Sequence, residues 1–279
     1  FFRDLAVLPF LQHALLAGLL ASVACGIVGT YVVTRRFSYV AGAISHCMLG
    51  GMGAARYLER VHQISWATPF VGALSAALIS AVIISIITLY TKERQDTVLG
   101  AVWTIGMAVG ISFIVRTPGY NEDLMSYLFG NILMVSRGDL YLMAALDAVV
   151  LLLTFLFYKR FLVICFNEEL ARLRGLSVGF YHLVLLVLTA LTVTLLVQVV
   201  GIVMAIALLT LPAATAGHLT KKLSLMMAVA SLLTTAFIVG GVILSYEPEL
   251  PAGATIIELA GVAYLLVLLA HVTRQRLRW

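Results

Sequence analysis

An all-α membrane bundle of eight to nine transmembrane helices follows from three observations on this 279-residue chain. Hydrophobic residues make up 62% of it and charged residues 11%, where a soluble domain carries about 25% charged residues. Apolar runs of about 20 residues, each able to span about 30 Å of hydrocarbon, recur along the whole length. Between successive runs, Lys and Arg collect on alternate sides.

The runs fall at 11–34, 40–58, 67–91, 97–115, 140–158, 181–199, 201–219, 224–245 and 254–272. The first is longer than a signal-peptide core and lacks a basic leader, so it reads as a span. The chain opens at Phe1 rather than Met, and residues ahead of it are expected. The second run is the least apolar: Gly42, Ser45, His46, Cys47, Gly50, Gly51 and Gly53 interrupt it. After the fourth, Pro118-Gly119-Tyr120-Asn121-Glu122-Asp123-Leu124 forms a turn. The stretch that follows, Met125 to Asn131, is apolar but short and broken by Gly130. It suits a re-entrant or interfacial element buried in protein.

Between the fifth and sixth runs, Asn167 is an N-cap, Glu168 and Glu169 occupy the first turn, Arg172 and Arg174 the last, and Gly175 is a C-cap. That is a short amphipathic helix at the membrane surface. The sixth and seventh runs abut at 199–201 with almost no turn, and eight spans result if they are one. Inside the seventh, Pro212 stands among small residues, so the helix is expected to kink or break there. No linker interrupts the series, so residues 1–279 read as a single transmembrane domain.

Lys and Arg set the orientation. Arg35, Arg36, Lys92, Arg94, Lys159, Arg160, Arg172, Arg174, Lys221, Lys222, Arg274, Arg276 and Arg278 lie on one side. The other side holds Arg3, Arg56, Arg60, Arg116 and Arg137. Thirteen against five makes the first side cytoplasmic, with an external N-terminus and a cytoplasmic C-terminus over nine crossings. The net charge of +5 is therefore a product of topology, and nucleic acid is not an expected partner. Cys25, Cys47 and Cys165 show no zinc-finger or CxxC spacing and read as small apolar fillers.

Ionisable groups at membrane depth are costly and usually face a protein interior or a wet pathway. His46 is the first candidate, because glycines on its helix allow close approach of neighbours and its imidazole can ligate a metal. Cys47 lies about 100° round the helix and cannot easily share an ion with it. Asp147 and Glu258 fall inside spans, in their outer halves. Glu122 and Asp123 sit in the external turn, where solvation competes with a ligand role. His13, His182, His218 and His271 lie near span ends, where structural or headgroup contacts suffice. There is no G-x-x-x-x-G-K-[ST] loop, no H-E-x-x-H helix and no G-x-S-x-G elbow. The chain is therefore not expected to be an enzyme.

Five segments resemble one family in order. They are Ser38-Tyr39-Val40 with Ala43-Ile44-Ser45-His46, then Leu124 to Asn131, Glu168 to Gly175, Leu211 to Ala216, and Leu250-Pro251-Ala252-Gly253. Together they closely resemble the bacterial metal-ion ABC permeases, the membrane subunits of zinc, manganese and iron importers. The resemblance implies a type II ABC importer permease in the bacterial inner membrane, related to vitamin B12 and siderophore permeases. It implies a permease dimer, cytoplasmic ABC ATPase subunits that hydrolyse ATP, and an extracytoplasmic metal-binding protein. No permanently bound cofactor is implied, only a transported divalent metal, zinc ahead of manganese. Glu168, Glu169, Ala171, Arg172, Arg174 and Gly175 then become the ATPase-coupling element. A secondary metal transporter built on the Pro212 discontinuity is the alternative. In one respect the chain departs from the family: many members carry an aspartate four residues before the histidine, on the same helix face, and Gly42 stands there.

Overall fold

The computed structural model describes residues 7–91, 93–118, 130, 132–248 and 250–276. Nine long helices and one short one account for most of them. They are α1 (Pro9–Thr34), α2 (Ser38–Val61), α3 (Pro69–Tyr90), α4 (Gln95–Arg116), α5 (Arg137–Phe166), α6 (Glu168–Leu173), α7 (Val178–Val200), α8 (Ile202–Leu219), α9 (Leu223–Tyr246) and α10 (Ala252–Arg276). A 3₁₀ turn at Ile132–Met134 precedes α5. Each predicted span coincides with one long helix.

Eight of the nine are long and apolar enough to cross a bilayer; α2 is the exception. Its glycines, Ser45, His46 and the terminal Arg56, Glu59 and Arg60 lower its hydropathy. It is tolerated because α3, α4 and α7 pack against it, which buries Ser45 and half-buries His46.

Local chemistry fixes the helix ends. Pro9 and Pro69 start their helices where an amide is not needed. Ser136 and Asp139 form a reciprocal capping box, Asp139 N–H to Ser136 Oγ at 3.2 Å and Ser136 N–H to Asp139 Oδ2 at 3.0 Å. On α6, Leu170 N–H donates to Asn167 Oδ1 at 2.9 Å. Gly175 N–H donates to Arg172 O at 2.9 Å and Leu176 N–H to Ala171 O at 3.0 Å, with Gly175 at φ +74°. That is a Schellman cap, in which a left-handed residue closes the last turn. The short capped helix read from the sequence is present, and its Ala171 is fully buried.

The two runs abutting at 199–201 are separate helices. Gly201, at φ +81°, is the whole connection between α7 and α8. Gly130, at φ +57°, lies so close to it that a Cβ there would overlap the backbone of Val200 and Gly201. Of the kink or break expected at Pro212, the break is absent: α8 runs continuously from Ile202 to Leu219. Proline removes one amide, but Ala213 and Ala216 stay buried against Met226 and Ala230 of α9, and this packing holds the helical path.

Glycines bring α2 against its neighbours. A Cβ on Gly50 or Gly53 would lie 2.7 Å from the carbonyl oxygen of Gly106 or Gly110 on α4. Gly51 and Gly72 meet in the same way between α2 and α3. Gly106 and Gly110, spaced as Gly-x-x-x-Gly, thus pack inside the chain. Gly51→Leu is expected to cost at least about 1–3 kcal/mol through overpacking and to lower the yield of monodisperse protein in detergent. Gly100→Ala is its control, since no atom lies within 4 Å of that position.

Candidate functional site

His46 is the ninth residue of α2, about 12 Å along it from its first residue. Its ring stacks on Trp103 of α4, with centroids 4.3 Å apart and planes inclined by 7°. Trp103 is held in turn by its Nε1–H, which donates to Met107 Sδ at 3.1 Å. The imidazole is half-buried, and its Nδ1 is a buried nitrogen with no hydrogen-bond partner among the described residues. Leaving such an atom unpaired costs about 1–3 kcal/mol, and a ligand to that nitrogen would recover it.

One turn towards the start of α2, Gly42 leaves room. A Cβ there would meet only Ile206 Cδ1 and Trp103 Cζ3, each at 3.9 Å, which is ordinary contact. A Cβ at position 42 is therefore not excluded by crowding. Cys47 points elsewhere, against Gly106, as its position round the helix requires.

The other candidates are not gathered round His46. Asp147, 6% exposed, sits on α5 facing α1 and α7. Its Oδ2 and the Oγ1 of Thr192 both lack partners among the described residues. They line one cavity of about 10 Å³, room for about one bridging water. Glu258 is exposed on α10, its seventh residue. Glu122 and Asp123 lie outside the described residues, as does all of the proposed re-entrant stretch Met125 to Asn131 except Gly130. Among the described residues no group of three or more His, Cys, Asp or Glu could hold a metal ion.

Beside α6 the structure adds a residue that sequence reading missed. Arg35, directly after α1, donates from Nη1 to the Ile164 carbonyl at 2.7 Å and pairs through Nη2 with Glu168, the first residue of α6. The same Nη2 lies 3.4 Å from His182 Nδ1, and the guanidinium sits 5.0 Å from the Phe37 ring centroid. Its side chain is 9% exposed. One arginine thus ties α1, α5, α6 and α7 together. No spacing signals this, because its partners lie more than 120 positions away.

A polytopic helical bundle with a polar, glycine-lined helix and a capped helix at one surface is the build of a membrane transport subunit. Residues 7–271 match the profile of the ABC 3 transport family, and the chain belongs to that family. It is 38% identical to a probable metal transport system membrane protein of Chlamydia muridarum, over 94% of this chain and 89% of that one. It is 32% identical to the manganese transport system membrane protein MntC of Halalkalibacterium halodurans, over 95% and 89%. Among solved structures, one chain of PsaBC from Streptococcus pneumoniae in complex with Fab superposes with a TM-score of 0.82 at 32% identity, covering 95% of this chain and 93% of that one.

Proposed function

We propose that residues 1–279 act as one transmembrane permease domain of an ATP-driven importer of divalent transition-metal ions in a bacterial inner membrane. The observation that carries this reading is His46: a half-buried imidazole whose buried Nδ1 has no partner among the described residues, beside an unfilled place at Gly42, on the least apolar of the nine long helices. Such a group can pass a cation while binding it loosely enough for release.

A single imidazole cannot surround an ion, and neither Asp147 nor Glu258 reaches it. A second permease copy across a shared axis supplies a second His46 by symmetry. The exposed position of Glu258 on a spanning helix favours the same arrangement, since a carboxylate facing lipid is costly. ATP is hydrolysed by separate cytoplasmic subunits docked on Glu168, Glu169, Ala171, Arg172, Arg174 and Gly175. An extracytoplasmic binding protein delivers the metal.

Manganese is the cargo best supported, because the relative named for a metal is a manganese system. Zinc is favoured by the imidazole, a nitrogen ligand zinc accepts readily. Proteoliposomes holding the permease, its ATPase and its binding protein decide between them. ATP-dependent accumulation of Mn²⁺ that Zn²⁺ inhibits without being accumulated supports manganese. Uptake of neither metal, or uptake without ATP, overturns the reading.

Gly42→Asp tests the unfilled place. A Cβ at this position makes only ordinary contacts, with Ile206 Cδ1 and Trp103 Cζ3 at 3.9 Å, so the backbone is expected to stay in place. A carboxylate one turn from His46 is expected to tighten metal retention by about tenfold or more, since one ligand bond contributes at least as much as an outer-shell partner. Equilibrium dialysis of Mn²⁺ against purified chain measures it.

A further inference from the structure

Half-exposed positions on α8 recur at Ile206, Thr210, Ala214 and His218, spaced by four residues and so forming one stripe along the helix. The stripe begins beside Gly42, which Ile206 approaches, one turn from His46. It ends, about 18 Å further along the axis, at the cytoplasmic end. There His218 meets His271 of α10, ring centroids 5.0 Å apart and planes inclined by 47°. Tyr264 closes the cluster at 6.2 Å from His218. The two histidines are 53 positions apart in sequence and come together only because α8 packs on α10.

We propose that His218 and His271 form a two-imidazole site for a divalent transition-metal ion at the cytoplasmic end of this stripe. The site rests, for its role though not for its existence, on the metal-importer reading. The tilted rings are close enough for one nitrogen of each to share an ion at about 2.0–2.1 Å. This differs from the parallel stack of His46 on Trp103, which offers a single imidazole. Both rings are half-buried, so water can complete the coordination. His218 stands in the last turn of α8, where the negative end of the helix dipole favours a cation. Lys221, Lys222 and Arg274 are exposed at the same end and oppose it. Two neutral ligands with cationic neighbours give a weak, fast-exchanging site, as the last station before release requires.

The test is zinc binding by the full chain in nanodiscs, carrying His46→Ala so that the mid-membrane imidazole does not compete. Calorimetric titration with zinc chloride is expected to show one site per chain. His218→Gln or His271→Gln weakens it by at least about tenfold, and the double variant removes it. Glutamine keeps a polar side chain, and elution as a monodisperse peak checks folding. Should either variant fail that check, pulsed EPR of the unaltered pair loaded with one equivalent of Cu²⁺ counts coupled imidazoles, two being expected. No site in the His46→Ala chain, unchanged affinity in both glutamine variants, or a single coupled imidazole overturns the proposal. Zinc held by the pair in a complex that moves no metal would overturn the transport reading and leave the site standing.

Discussion

His46→Ala is expected to abolish metal-dependent growth in a strain lacking other importers, while the protein still reaches the membrane in normal amount. The ring stack on Trp103 contributes about 0.5–1.5 kcal/mol beyond its burial, and the loss of a nitrogen that already lacks a partner offsets part of that. The fold therefore survives. Between Ser38 and Ala55 the helix has no other imidazole and no carboxylate or ammonium group, so nothing replaces the lost ligand. His46→Phe separates ligation from packing, because phenylalanine preserves the stack and removes both nitrogens. It is expected to be as inactive as the alanine variant. Normal uptake by His46→Phe would show that the ring serves only to pack against Trp103.

What could be read from the chain was whatever one helix carries by itself. Span positions follow from hydropathy, and each of the nine runs became a long helix. The α6 caps are local chemistry, so Asn167 and Gly175 sat in the expected roles and the Schellman bonds followed. The junction at 199–201 stayed ambiguous because one glycine at positive φ can replace a loop, and hydropathy does not see dihedral angles. No break occurs at Pro212 for a related reason: losing one amide bond is local, whereas burial of Ala213 and Ala216 against α9 is tertiary. Everything joining distant positions was invisible, including the stack of His46 on Trp103, the meeting of His218 with His271, and the separation of Asp147 from His46. Periodicity assigns a residue to a helix face but does not say which helix covers that face.

Arg35→Ala is expected to uncouple ATP hydrolysis from metal uptake. The guanidinium is nearly buried and shares its donors among the Ile164 carbonyl, Glu168 and the neighbourhood of His182. Deleting one partner of a buried charge pair costs about 3–5 kcal/mol. Glu168 is 42% exposed, so water recovers much of that here, and assembly should persist. What is lost is the link between α6 and the ends of α1, α5 and α7. A push on α6 would then move a six-residue helix and not the spans behind it. Arg35→Lys is expected to restore coupling only in part, because one ammonium cannot reproduce a planar fork that reaches several acceptors. Glu168→Gln should be milder still, since its amide oxygen continues to accept from Arg35. Gly175→Val acts on the same element differently, by placing a β-branched residue at φ +74° and straining the cap. The readout is metal accumulated per ATP hydrolysed in reconstituted complexes, with hydrolysis persisting and accumulation falling in the order Gln, Lys, Ala. An Arg35→Ala complex that kept the wild-type ratio would remove this residue from the route between the ATPase and the membrane helices, and leave α6 to act through its own buried contacts alone.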